Sequence, residues 1–183
     1  MTPLKMKKVL LVNLPFEKVY EKTNMKGVAP STPPLGLACI AGSLLREGHE
    51  VKIFDFNLYG EREFARELKK GWDFVGISFV TALMGEAKRI SRLAKEIDKD
   101  ITIICGGPHP SSFPESSLKE TSVDIAVVGE GDFTIIEIVG GKKLEKIKGV
   151  AYKKNSKIYV NKRREYIENL DELPFPALHL YEI

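Results

Sequence analysis

Glycines and small hydroxyls recur in three short clusters of the sequence: Ser78-Phe79-Val80-Thr81, Gly106-Gly107-Pro108-His109-Pro110 and Gly129-Glu130-Gly131-Asp132. Glycine lets a backbone approach a ligand closely, and Ser or Thr supplies a hydrogen bond without bulk. Clusters of this kind suit a binding edge. A nucleophile is harder to find. Cys39 and Cys105 both lie inside apolar runs and read as small core residues. His49 and His179 have no partner legible from spacing, and no Walker loop, zinc spacing or Ser-His-Asp constellation is present. Gly129-x-Gly131 lacks the third glycine of a dinucleotide fingerprint, because Thr134 stands in that position. No catalytic residue and no metal ligand is expected from this chain.

Each cluster follows a short apolar run. Lys8–Asn13, Val51–Asp55, Phe74–Ser78, Ile101–Cys105 and Asp124–Val128 are β-branched and nearly continuous in apolar character, as expected of strands covered on both faces. Helix-length amphipathic segments separate them. Leu35–Arg46 has Gly48 as its stop, Glu61–Lys70 and Ala82–Ile97 follow, Pro110–Glu120 is looser, and Phe133–Val139 is brief. Five strands with a crossover after each predict an α/β fold: a doubly wound, five-stranded parallel sheet in the flavodoxin-like order 2-1-3-4-5. Ligands in such sheets bind beyond the carboxyl ends of the strands, which is where the three clusters fall. The first strand ends at Asn13-Leu14-Pro15-Phe16 and enters a long loop, residues 17–32, before Pro33-Pro34-Leu35-Gly36.

Beyond the fifth helix the period changes. Lys148–Tyr152 and Lys157–Asn161 flank Asn155-Ser156 as a C-terminal β-hairpin. Leu170–Ala177 reads as a Pro-stiffened connector, ending in Leu178-His179-Leu180-Tyr181 with no element left to bury it. The expected division is therefore an α/β domain over 1–145, a basic hairpin appendage over 146–164 and a connector over 165–183. Of 183 residues, 43% are hydrophobic and 29% charged, enough for a core and incompatible with a disordered chain. No apolar stretch is long enough to span a membrane and no signal peptide precedes the basic start, so a cytoplasmic protein is expected. The net charge of +3 conceals ten Lys or Arg against Glu145 alone within residues 142–164. Without an aromatic platform or a nucleic-acid motif, that stripe reads as a solvated hairpin, and nucleic acid is not an expected partner.

Taken in order, Val9-Leu10-Leu11-Val12-Asn13-Leu14-Pro15, Pro33-Pro34-Leu35-Gly36-Leu37-Ala38, Val75-Gly76-Ile77-Ser78-Phe79, Gly106-Gly107-Pro108-His109-Pro110, Val127-Val128-Gly129-Glu130-Gly131 and Leu170-Asp171-Glu172-Leu173-Pro174-Phe175-Pro176 resemble the amino-terminal cobalamin-binding domain of radical SAM enzymes. That family includes methyltransferases and the anaerobic cyclase acting on magnesium-protoporphyrin monomethyl ester. The resemblance implies cobalamin as cofactor and a downstream radical SAM domain as partner. S-adenosylmethionine and an iron–sulfur cluster would belong to that domain, whose Cys-x-x-x-Cys-x-x-Cys motif is absent here. Mutase-type relatives carry Asp-x-His-x-x-Gly after the first strand; Asp55 to Gly60 has that outline with Asn57 in the His position, but after the second strand. The cobalamin is accordingly expected base-off, held by its nucleotide tail without a histidine from that position.

The resemblance also implies roles. Ser78 matches the Ser of the family's Ser-x-Leu element, with Val80 for Leu, and would bond the benzimidazole nitrogen. Gly106 and Gly107 would leave room for the ring. Thr81 and the Gly129-Glu130-Gly131 backbone would meet ribose and phosphate, and Asn13, Pro15, Pro34, Gly36, Pro108 and His109 complete the expected binding edge. Two other readings stay open: a degenerate docking module whose slot is plugged by Phe16 or Phe79, and a nucleotide sensor using the same edge.

Overall fold

The structure, a computed structural model, describes residues 5–16 and 34–181; the expected loop over 17–32 lies outside the described residues. Seven strands form one sheet: β1 Lys8–Asn13, β2 Glu50–Asp55, β3 Phe74–Ser78, β4 Thr102–Gly106, β5 Ile125–Val127, β6 Val150–Lys154 and β7 Lys157–Val160, in the order β2-β1-β3-β4-β5-β6-β7. The first five are parallel and ordered as expected. The hairpin departs from expectation. Instead of hanging beyond the sheet, it continues it: β6 pairs antiparallel with β5, setting Val127 opposite Val150 and Ile125 opposite Tyr152, and β7 pairs with β6. The open edge of β5 presents backbone donors and acceptors that such a hairpin satisfies. At the turn, Asn155 and Ser156 both take positive φ (50° and 59°), the combination a tight two-residue hairpin needs.

Six helices are described: α1 Leu35–Arg46, α2 Glu61–Leu68, α3 Met84–Ile97, α4 Pro108–Ser112, α5 Pro114–Glu120 and α6 Asp132–Val139. Because successive strand residues face opposite sides, β1 supplies two cores. Leu10 and Val12 pack with Phe64, Phe79 and Ile90 beneath α2 and α3. Val9 and Leu11 pack with Leu44, Ile104 and Ile138 beneath α1 and α6. The looser fourth crossover resolves into α4 and α5, each opened by a proline at its first turn, where a missing N–H costs nothing.

The connector contradicts the sequence expectation that Leu178 to Tyr181 have nothing to bury them. Ala177 and Tyr181 are buried against α1. The Ala177 amide donates to the Ala38 carbonyl (2.9 Å), and the Tyr181 hydroxyl donates to the Pro34 carbonyl (2.9 Å). Gly42 permits this approach, since a Cβ there would lie 2.5 Å from the Phe175 carbonyl oxygen. Leu178 and Phe175 themselves stay exposed.

Candidate functional site

At the carboxyl ends of β1, β3, β4 and β5, between the sheet and helices α1 and α6, lies a cavity of about 290 Å³. Its sheet side is floored by Leu11, Gly76, Ile104 and Val127, and its helix side is walled by Leu37, Ile40 and Ile135. The floor dips where side chains are missing. At Gly76 a Cβ would fall 2.7 Å from Leu11 Cδ2, so a larger residue there would have to displace the Leu11 side chain. Gly107 adopts φ 96°, ψ −171°, a backbone region that essentially only glycine occupies.

The structure gathers Gly36, Ser78, Gly106, Gly107, Gly129 and Gly131 around this slot. The remaining expected residues stand elsewhere on the same edge. Asn13 ends β1, its carbonyl accepting the Phe56 amide, and Pro15 is buried. Pro34 is the cap residue of α1 and accepts Tyr181. Val80 packs into the opposite core, and exposed Pro108 opens α4. Thr81 Oγ1 lies 3.0 Å from His109 Nδ1, and the His109 ring stacks on Phe79 at 5.4 Å, with Phe113 at 5.3 Å. The Phe79 amide donates to the Gly106 carbonyl and the His109 amide to the Phe79 carbonyl, so these groups knit the β3 and β4 loops together. Glu130 accepts the Ile167 amide (2.7 Å), anchoring the connector.

Residues that sequence reasoning placed in the core complete the slot, namely both cysteines and the apolar wall of α1, together with Asp132, which it placed on this edge without assigning it a role. A helical face pointing inward gives the same pattern whether it meets a core or a cavity, so the α1 wall carried no distinguishing signal. Burial pushes the Cys105 thiol up to about 12. Burial, with Asp132 adding to it, likewise raises Cys39 above its usual value. Both shifts disfavour the thiolate, the nucleophilic form of cysteine.

His49, at the opposite end of the sheet, accepts the Lys7 amide through Nδ1 (3.3 Å). Asp55 accepts both the backbone amide and the side-chain amide of Asn57, so the Asp-x-Asn outline is an ordinary turn after β2. Among the described residues, no helix is long and apolar enough to cross a membrane and no cluster of three His, Cys, Asp or Glu could hold a metal ion.

An apolar slot with several glycines and one small hydroxyl lies at the carboxyl edge of a doubly wound sheet, the place where ligands of such sheets bind. The B12-binding domain family matches residues 22–139, and the chain belongs to that family. It is 37% identical to the uncharacterized methyltransferase PH0819 of Pyrococcus horikoshii, over 97% of this chain and 39% of that protein. It is 25% identical to the anaerobic magnesium-protoporphyrin IX monomethyl ester cyclase of Synechocystis, over 90% of this chain and 34% of that one. The fold matches the radical S-adenosylmethionine methyltransferase TsrM of Kitasatospora setae, solved with cobalamin and a 4Fe-4S cluster bound. The TM-score is 0.72 at 18% identity, over 92% of this chain and 31% of TsrM. The chain thus spans well under half the length of these relatives.

Proposed function

We propose that the chain is the cobalamin-binding part of a longer radical SAM enzyme, and that it holds the cofactor base-off by its nucleotide tail. The open apolar slot is the observation that carries this reading. Dimethylbenzimidazole is flat and uncharged, similar in size to a Trp side chain. Burying ~150 to 250 Å² of it contributes roughly 4 to 6 kcal/mol at ~25 cal/mol/Å². Ser78 stands at the slot with a hydroxyl that has no hydrogen-bond partner among the described residues, suited to the ring nitrogen. Gly106 and Gly107 place no side chain at the end of β4, where the slot opens. The positive-φ backbone at Gly107 and Gly129 suits close approach by the phosphate and sugar. Bound cobalamin supplies a cobalt centre for one-carbon and electron transfer. This chain's residues bind, orient and desolvate the tail.

None of the three histidines lines the slot, which supports a cofactor held without a histidine ligand: His49 is at the far end of the sheet, His109 is stacked among Phe79, Phe113 and Thr81, and His179 is on the connector. A plugged docking module is disfavoured, because Phe79 packs on the opposite face of the sheet and Phe16 packs against that same core. S-adenosylmethionine, the cluster and the substrate would engage the remainder of the enzyme.

The test is spectral titration of the purified chain with hydroxocobalamin, beside Ser78→Ala and Gly107→Leu. Uptake by wild type with a shift to the base-off spectrum, weakened in both variants, is expected. A wild-type chain that takes up no corrinoid overturns the reading, and thermal protection by nucleotides alone would favour a sensor.

A further inference from the structure

Among the described residues, Asp132 is the one charged side chain lining the slot. It opens α6, and Gly131 before it brings the helix start against α1, since a Cβ at Gly131 would meet Ile40 Cδ1 at 2.9 Å. The Ser43 hydroxyl, fully buried, donates to Asp132 Oδ1 (3.3 Å) and holds the carboxylate in place. No Lys or Arg among the described residues pairs with it, whereas Glu137 in the same helix is neutralised by Lys142 and Arg164. A carboxylate beside an apolar cavity, with only one neutral donor, has acceptor capacity left for a ligand.

We infer that Asp132 reads the sugar of the bound nucleotide tail, accepting a hydrogen bond from a ribose hydroxyl. The inference rests on the cobalamin reading and extends it to a residue outside the expected binding set. Chemistry selects the sugar among the three parts of the tail. The phosphate is repelled by a carboxylate, and dimethylbenzimidazole bound through its ring nitrogen has no N–H or O–H to give. The ribose hydroxyls are donors. A hydrogen bond to a charged acceptor that a ligand shields from water is stronger than a neutral one.

The alternative is that Asp132 only favours the helix start electrostatically. Two probes separate these roles: α-ribazole, which carries the ribose, and 1,5,6-trimethylbenzimidazole, in which a methyl replaces the ribose so that the ring has no N–H to donate. Each competes with hydroxocobalamin uptake by wild type, Asp132→Ala and Asp132→Asn, with thermal midpoints recorded in parallel. Asp132→Ala is expected to weaken α-ribazole and hydroxocobalamin by roughly tenfold to a hundredfold and to leave trimethylbenzimidazole within about twofold. Asp132→Asn, which keeps an acceptor oxygen but loses the charge, should lose less. Equal loss for both probes, or none for either, overturns the sugar contact while the cobalamin reading stands. A wild-type chain that takes up no corrinoid overturns both.

Discussion

A Cβ at Gly107 would lie 2.8 Å from the Ser78 hydroxyl and 3.1 Å from the Phe79 backbone, so one position controls both the room in the slot and the strain in its rim. Gly107→Leu should destabilise the fold by about 1 to 3 kcal/mol through its backbone conformation alone; a denaturation midpoint equal to wild type would contradict that strain. Ser78→Ala should leave stability unchanged and weaken corrinoid binding by about fivefold, the worth of roughly 1 kcal/mol for a neutral hydrogen bond. Spectral titration measures it. His49 makes a prediction in pH. Burial holds its imidazole below the ordinary value, against the opposing influence of Glu47 and Asp73. A folded state that resists protonating this ring is fully favoured above pH ~6.5, where the unfolded ring is also neutral. That contribution is lost as pH falls from there through the lowered folded value. Urea unfolding at pH 7.5 and 5.5 should show less pH sensitivity in His49→Gln than in wild type; identical sensitivity would remove His49 as a source.

At the scale of elements, the hairpin and the connector are where stability can be adjusted away from the slot. Ser156 holds a left-handed conformation at the β6–β7 turn, so Ser156→Gly should stabilise the chain by about 0.5 to 1 kcal/mol, read as a raised thermal midpoint. The basic stripe is answered in part by local partners. Lys142 pairs with Glu137, Lys148 with Glu165 and Lys154 with Glu145, while Lys153 donates to the Thr121 carbonyl. The connector depends on Gly42. Gly42→Val should push the Phe175 backbone off α1, cost about 1 to 3 kcal/mol and open residues 165–181 to proteolysis. Unchanged cleavage there would mean that the Ala177 and Tyr181 contacts alone hold the strap.

For the whole molecule, ligand binding and stability are linked: a cofactor that binds only the folded chain adds about 2.7 kcal/mol at a hundred times its Kd. Hydroxocobalamin should therefore raise the thermal midpoint in a concentration-dependent way, and Gly107→Leu should abolish the rise.

Strand positions, strand order and the clustering of glycines at one edge were legible in the sequence because period and composition act locally. Five buried runs separated by helical faces allow few topologies, and Leu35–Arg46 even has its bounds written in its apolar spacing and in Gly48. Three features were not legible. The hairpin's attachment to β5 depends on which edge is open. The burial of Tyr181 depends on a glycine, Gly42, more than a hundred residues away along the chain. The membership of Cys39 and the apolar wall of α1 in the slot depends on how far α1 stands from the sheet, and an inward-facing residue has the same pattern whether it meets a neighbour or a cavity. Local patterning thus determined the scaffold and the edge that carries the slot. The shape of the cavity was decided by long-range packing, because an empty volume is set by distances between elements that no single segment encodes.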